Sequence, residues 1–280
     1  MSLPPLDIQN LLRTTGFRAK KGLGQNFLRD ESALKRIVET AGIEPGDEVL
    51  EIGAGLGSLT RHLALKAKRV CALEIDSRMI PLLEQVLAGH ENVEIIQGDI
   101  LKLQPEDLGL TRDYLVVANI PYYITSAIIR HLLEAKIKPR RIVLTVQAEV
   151  GERICALPGK MNLLALSVQV FGHPQIMFNI PSAAFTPEPD VDSSVIRVDL
   201  HSEPLIKTNK LDSFFKLAKT AFSQKRKTLR NSLTGSSGLK TSETGPLLTA
   251  ASIDPMRRAE TLTLEEWGVL TDRYLELGKK

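Results

Sequence analysis

Asn119-Ile120-Pro121-Tyr122 closes an apolar run, Tyr114-Leu-Val-Val-Ala118. It sets an amide, a rigid proline and an aromatic face side by side. That combination suits a flat, amine-bearing base held without being charged. An exocyclic amine such as that of adenine is a poor nucleophile, because its lone pair is delocalised into the ring. Hydrogen-bond acceptors around its N–H groups favour the pyramidal, nucleophilic form. Asn119 Oδ1 and the Ile120 carbonyl can be those acceptors, and the proline restricts Ile120 to extended conformations that aim its carbonyl. Tyr122 can stack on the base. The same four residues could equally be a strand-to-loop turn with a packed tyrosine, an ordinary origin for so short a motif.

A second signal lies upstream, in Glu51-Ile-Gly53-Ala-Gly55-Leu-Gly57. Three alternate glycines after a strand allow a tight turn and close approach of a ligand to the backbone. A dinucleotide fingerprint needs glycine at its first, third and sixth positions, and here the sixth is Ser58. The spacing fits better the E/DxGxGxG loop that binds S-adenosylmethionine (SAM). Glu74 closes the next strand, where an acidic side chain can take both ribose hydroxyls of a nucleoside. Asp76 is a helix cap or a further ligand. Asp99 closes a third strand, where it could meet the adenine amine of SAM. The two signals together point to methyl transfer onto a nucleobase nitrogen. No strong general base is needed if the proton leaves afterwards, so the work is largely positioning. A base within a helix must first be unstacked.

The elements that must position these residues alternate. Strands are expected over 47–53, 69–76, 93–97, 114–118 and 141–147, with helices over 58–67, 77–88 and 126–135 between them. Asp30 caps a further helix over 31–41. This is the pattern of a parallel sheet covered on both faces. Residues 163–171 and 194–200 are expected as two later strands forming an antiparallel edge. Beyond His201-Ser-Glu-Pro204 the pattern turns amphipathic and helical, over 209–223, 225–233 and 263–277. Residues 235–238 and 241–245 are expected as loops. A domain boundary is placed near residue 203. The expected fold is thus α/β, a Rossmann-like class I methyltransferase sheet over 1–203 with a lid at about 10–30, followed by a small all-helical domain over 204–280.

The chain has 280 residues and a net charge of +3. No run reaches the roughly 18 apolar residues of a membrane span, and the N-terminus lacks the apolar core of a signal peptide. Two cysteines without a CxxC pair make a disulfide framework or metal site unexpected, and a cytoplasmic setting is expected. The charge is unevenly spread. Residues 201–280 hold 14 basic against 9 acidic side chains, and the rest 22 against 24. Eight basic residues crowd 207–230 against Asp212 alone, and seven lie within 10–36 against Asp30 and Glu31. Such runs are usually solvated helix faces, but two in a nearly neutral chain favour a polyanionic partner.

Across nearly its whole length the chain resembles the rRNA adenine dimethylase family, in its small-subunit branch. The resemblance rests on Lys21-Gly-Leu-Gly-Gln-Asn-Phe-Leu28, residues 49–60, 72–76, 98–101 and 119–125, Phe185-Thr-Pro-Glu-Pro-Asp-Val-Asp-Ser193, residues 222–233 and Arg258-Ala-Glu-Thr-Leu262. It implies N6,N6-dimethylation of two adjacent adenosines near the 3′ end of 16S rRNA, each consuming two SAM and yielding S-adenosylhomocysteine. It also implies a role in 30S biogenesis. Asn26, Leu28, Gly53, Glu74, Asp99 and Asn119 would contact SAM, with Gln25, Gly55, Ile75 and Ile100 beside them. Asn119 and Pro121 would hold the target amine, and Tyr122 and Phe185 would sandwich its base. Lys225, Arg226, Lys227 and Arg230 would meet rRNA phosphates in the 30S subunit or its precursor, with the protein monomeric and no membrane or metal involved. Gln25 to Leu28 could fold over the SAM site as a lid, with Gly22 and Gly24 supplying flexibility. Tyr123 stands where bacterial members often carry Asn, and Lys160-Met-Asn162-Leu replaces a stretch that often includes tyrosine. Two other functions share these features: an Erm-type 23S rRNA methylase, and a ribosome-assembly factor whose binding matters more than its catalysis.

Overall fold

The computed structural model describes residues 3–17, 20–224, 226–234 and 239–278, with only the backbone of Lys21. Lys225 and the loop over 235–238 lie outside the described residues. The chain forms two compact units, Met1–Gly151 with Pro174–Leu200, and Glu152–His173 with His201–Lys280.

The first unit is built on a sheet of seven strands. In chain order the strands of the protein are β1 (Phe27–Leu28), β2 (Glu48–Ile52), β3 (Arg69–Glu74), β4 (Val93–Gln97), β5 (Leu115–Asn119), β6 (Arg141–Gln147), β7 (Gly172–Ile180), β8 (Phe185–Thr186) and β9 (Ser193–Leu200). The spatial order is β4-β3-β2-β5-β6-β9-β7, and β1 pairs with β8 in a separate two-stranded ribbon. From β4 to β6 all pairings are parallel, and β9 runs antiparallel to β6. The strands read as continuous apolar runs because both faces are covered. On one face α2 (Glu31–Ala41) and α3 (Ser58–Ala64) bring Leu34, Ile37, Leu59 and Leu63 against Val49, Val70, Leu115, Val117 and Val143. On the other, Leu83 and Leu87 of α4 (Ile80–Leu87) pack with Ala54 and Ala72. α5 (Thr125–Glu134) follows β5, and α1 (Ile8–Thr15) precedes the sheet. Asp30 caps α2 as expected, its Oδ1 accepting from the N–H groups of Ser32 and Ala33. α4 starts three residues later than expected, because Asp76 turns back to accept from the Arg78 N–H.

The sheet order reverses between β2 and β5. Chains of this kind bind ligands at the carboxyl ends of the strands, where the order reverses. The register shows that these ends are level: Ile52 is opposite Leu73, Glu74 opposite Gln97 and Asn119 opposite Thr145.

α6 (Ala148–Ile154) follows β6, and α7 (Leu163–Gln169) belongs to the second unit. The helix α7 stands where a strand is expected from the sequence. Its run Leu-Leu-Ala-Leu-Ser-Val-Gln is apolar nearly throughout, so periodicity cannot decide, and the Asn162 side chain accepting from the Ala165 N–H starts a helix. Residues 152–173 thus sit in the second unit although the sequence pattern groups them with the first. The strand that follows, β7, is not expected from the sequence.

The second unit also holds α8 (Leu211–Phe222), α9 (Leu229–Ser232), α10 (Thr241–Ala250) and α11 (Leu264–Leu277). Its core is aromatic. The Trp267 ring meets Phe214 edge-on at 6.3 Å and stacks on Phe222 at 6.0 Å. α10 replaces the loop expected over 241–245, with Glu243 accepting from the Lys240 N–H at its start and Pro246 inside it. The helix expected over 225–233 shrinks to α9, because Thr228 is extended (φ −68°, ψ 158°). No described helix is long and apolar enough to cross a membrane.

Candidate active site

A cavity opens at the carboxyl ends of β2, β3 and β5, within the first unit. The glycine loop forms its floor. Gly53, Gly55 and Gly57 all adopt left-handed backbone, at φ 77°, 58° and 79°. A side chain would be strained at each, and a Cβ on Gly57 would come within 3.0 Å of Leu83 Cδ1. The turn is fixed from β3, whose Leu73 carbonyl accepts from the N–H groups of Gly53 and Ala54.

Glu74 sits at the edge of this loop. Each carboxylate oxygen accepts one backbone N–H, Oε2 from Gly55 and Oε1 from Asp76, both at 2.8 Å. The side chain is buried, and burial raises its pKa above the ordinary carboxylate range. Each oxygen keeps further accepting capacity for a donor pair such as ribose hydroxyls. Asp76 does not reach the cavity. The Arg78 guanidinium and the Gln25 amide hold it, and the former keeps it well below the usual carboxylate range.

Glu51 lines the cavity as well, a residue of the glycine motif to which the sequence alone assigns no role. It is 2 % exposed, and its Oε2 finds no hydrogen-bond partner among the described residues. Ser58 Oγ, which also lines the cavity, is likewise without a partner. Burial pushes the Glu51 carboxyl up to about 8. A buried acid with an unpaired oxygen beside an unpaired hydroxyl is the environment expected of a site for a cationic, donor-rich group. The residues present therefore fit SAM.

The amino-terminal segment lines one side of the cavity through Leu23, Gly24 and the residues from Gln25 to Leu28. Phe27 joins Ile8, Leu56 and Met79 in an apolar cluster, with Leu6, Leu11, Leu12 and Phe17 packed on it. Phe17 meets Phe27 edge-on at 6.3 Å, and the Arg78 guanidinium lies over the Phe17 ring. Gln25 links this segment to the turn after β3, accepting from the Lys20 N–H at 2.8 Å and donating to Asp76 at 3.0 Å.

At the end of β5, the Asn119 amide nitrogen donates to the Asn26 carbonyl at 3.1 Å. Among the described residues no donor reaches Asn119 Oδ1 or the Ile120 carbonyl. Both acceptors expected of an amine site are therefore open. Pro121 is extended (φ −60°, ψ 130°) and leads into a tight turn over Tyr122–Ile124. The half-buried Tyr122 lines the cavity, and its phenol contacts Ser193 Oγ at 2.7 Å. Burial raises the phenol pKa. Ser193 is not among the site residues expected from the sequence; its place at the end of the Phe185–Ser193 motif is the signal that could have found it.

Gln25, Asn26, Leu28, Gly53, Gly55, Glu74, Ile75, Asn119, Pro121 and Tyr122 all line the cavity. Asp99, Ile100 and Phe185 do not. Asp99 turns its Oδ1 to the Leu101 N–H at 3.0 Å, and Ile100 is buried. Phe185 is only 2 % exposed and lies in the core with Leu28 and Leu34. The β1–β8 ribbon places it there, since it sets Leu28 opposite Phe185. The open second face expected across from Tyr122 is not displayed. In the second unit Arg226, Lys227 and Arg230 are exposed and form no ion pair among the described residues. Arg226 and Lys227 line a shallow surface depression with Phe222, Ser223 and Gln224.

The model of one protein family, ribosomal RNA adenine dimethylase, matches residues 16–269. The chain belongs to that family. A ribosomal RNA small subunit methyltransferase A from Dehalococcoides mccartyi is 43 % identical over 258 residues, 92 % of this chain and 89 % of that one. The protein of the same name from Alkaliphilus oremlandii is 41 % identical over 283 residues, covering 99 % and 98 %. Among solved structures, a dimethyladenosine transferase from Plasmodium falciparum superposes with a TM-score of 0.79 at 26 % identity, covering 90 % of this chain and 98 % of that one. The 23S rRNA methyltransferase ErmE superposes with a TM-score of 0.73 at 29 % identity, covering 89 % and 99 %. The architecture is that of a class I methyltransferase sheet with an added helical unit, as the sequence pattern implies.

Proposed function

We propose that this family member is the SAM-dependent enzyme that dimethylates N6 of two adjacent adenosines near the 3′ end of 16S rRNA. The observation that carries this is the end of β5. Asn119 spends one amide N–H on the Asn26 carbonyl, and its Oδ1 stays unpaired next in the chain to the equally unpaired Ile120 carbonyl. Two acceptors without donors, next to a stacking ring, match an exocyclic N–H₂ and mismatch a ring nitrogen or a hydroxyl.

Glu74 would take the ribose of SAM, the glycine loop would admit its backbone-hugging portion, and Glu51 with Ser58 would meet its charged amino-acid end. When bound, SAM supplies an electrophilic methyl group. The chain's own part is to orient and to exclude water. Asn119 and Ile120 accept the two N–H groups of the target amine and hold its lone pair out of conjugation. Tyr122 stacks on the flipped base. The amino-terminal segment around Phe27 shields the cavity. The amine proton passes to solvent after transfer, so no residue with a tuned base is required. Asp99 and Phe185 join only if the loop after β4 and the β1–β8 ribbon rearrange around bound ligands.

The second unit, with its excess of basic residues, is proposed to grip rRNA of the small subunit through Arg226, Lys227 and Arg230. Lys225 is expected in the same role and lies outside the described residues. A lid at about 10–30 and a monomer acting in the cytoplasm complete the proposal. The relatives named small subunit methyltransferase A favour this reading over the 23S rRNA methylase, since they are the more similar. Purified protein with SAM should dimethylate undermethylated 30S particles. Particles left unmodified, while a known family member modifies the same batch, would refute it. A predominantly structural role in subunit assembly is tested by Asn119→Ala, which should abolish methylation and keep 30S binding.

A further inference from the structure

Tyr122 is held at both ends. At the backbone end, Pro121 fixes the approach and the Thr125 hydroxyl donates to the Tyr122 carbonyl at 3.1 Å. At the far end, the phenol oxygen lies 2.7 Å from Ser193 Oγ. Ser193 is fully buried, the first residue of β9, and its position is set by pairing with Gln147 at the carboxyl end of β6. Its hydroxyl has no other hydrogen bond among the described residues. The next residue, Ser194, is engaged elsewhere, with Asn179 at 2.7 Å.

Two hydroxyls that satisfy only each other, one buried and one on a half-buried ring, do little for the fold. An alanine and a phenylalanine of the same shape would be nearly neutral there, since the net worth of such a bond is small and replacing both partners removes the desolvation cost as well. The bond does something a Phe–Ala pair could not. The phenol oxygen lies on the ring's long axis, so a bond at the tip leaves the second side-chain torsion as it was but anchors the far end of that axis to a rigid strand. Where the ring sits is then set by the sheet as well as by the turn that carries it.

We infer that Ser193 is a positioning residue for the target base: through the Tyr122 hydroxyl it anchors the far end of the ring on which the base stacks. This rests on the reading of Tyr122 as the stacking face. The Ser193 hydroxyl touches neither amine nor methyl donor; it acts only through the ring. It also gives the Phe185–Ser193 segment two separate parts to play, one at Phe185 beside Leu28 and one at Ser193 behind Tyr122.

The test is a set of variants assayed on undermethylated 30S particles, with kcat and KM for the particle separated and SAM affinity measured directly. Ser193→Ala and Tyr122→Phe should each lower kcat by about 3- to 10-fold, the range of one broken hydrogen bond. SAM affinity should be unchanged. The double variant should be no slower than either single one, because both remove the same bond. Ser193→Thr, which keeps the hydroxyl, should stay near the parent rate. Tyr122→Phe leaves the ring in place, so it carries the test even if Ser193→Ala folds poorly. Parent kcat in both single variants, or losses that multiply in the double variant, would overturn the inference. Tyr122→Ala separates it from the reading beneath it. If that variant keeps full activity, the stacking role itself fails. If it is crippled while Ser193→Ala and Tyr122→Phe are unaffected, only the positioning role fails.

Discussion

The side-chain amide of Asn119 donates to the backbone carbonyl of Asn26 at 3.1 Å, joining the end of β5 to the segment that lines one side of the cavity. One bond thereby does two things. It ties the amino-terminal segment to β5, and it fixes which end of the amide is left unpaired. Asn119→Asp keeps an acceptor but loses the donor, and sets a carboxylate against the Asn26 carbonyl. We expect methylation to fall by about 100-fold, the scale of a misplaced reacting group, with 30S binding retained. Steady-state rates alongside a binding measurement check this. An Asp variant as active as the parent would show that the amide orientation is unimportant.

Glu51 gives a stability prediction with a definite sign. Its folded-state pKa, about 8, lies above the ordinary carboxylate value of 4.5. Between those values the folded chain holds a proton that the unfolded chain has released. Stability contributed by that proton is complete below about pH 4.5 and is lost as pH rises to about 8, at up to about 1.4 kcal/mol per unit. Glu51→Gln removes the titration. Its melting temperature should therefore gain on the parent as pH is raised from 5 to 8. A constant difference across that range would mean Glu51 is ionised in the fold.

Much of the first unit is legible in the sequence because parallel strands buried on both faces are apolar runs with few alternatives. The runs ending at Gly53, Glu74 and Asn119 suffice to place the cavity. Side-chain direction at a strand end is not legible in the same way. Asp99 follows β4 as expected, but a local hydrogen bond to the Leu101 N–H turns it from the cavity. Residues 163–169 lack a period that could separate helix from strand. At 241–250 the Gly245-Pro246 pair suggests a break that the cap at Glu243 and the packing of Leu247 and Leu248 overcome. Glu51 is visible in its motif, yet its orphaned oxygen follows only from burial.

Phe185 separates a core role from a binding role. It is buried with Leu28 and Leu34, so Phe185→Ala should cost about 3–5 kcal/mol of stability. Phe185→Leu, nearer in volume, should cost less than about 1.5 kcal/mol. If the ring also meets the target base after rearrangement, Phe185→Leu will methylate poorly while melting near the parent temperature. Denaturant melts and rates on the same samples decide. A fully active Phe185→Leu would confine this residue to the core.

The basic segment leading into α9 and its Arg230 make a salt-dependent prediction. Replacing Arg226, Lys227 and Arg230 together with alanine should weaken 30S binding and flatten its salt dependence, by about one unit of log–log slope for each phosphate no longer neutralised. Melting should change little, because all three side chains are exposed. An unchanged slope would place the RNA-binding surface elsewhere.

The most direct test of the central claim is to map N6,N6-dimethyladenosine on ribosomal RNA from cells with and without this gene. The account predicts two adjacent dimethyladenosines near the 3′ end of 16S rRNA that vanish on deletion, return with the intact gene, and do not return with Asn119→Ala. Dimethylation that persists after deletion, or a mark that disappears from 23S rRNA instead, would contradict it.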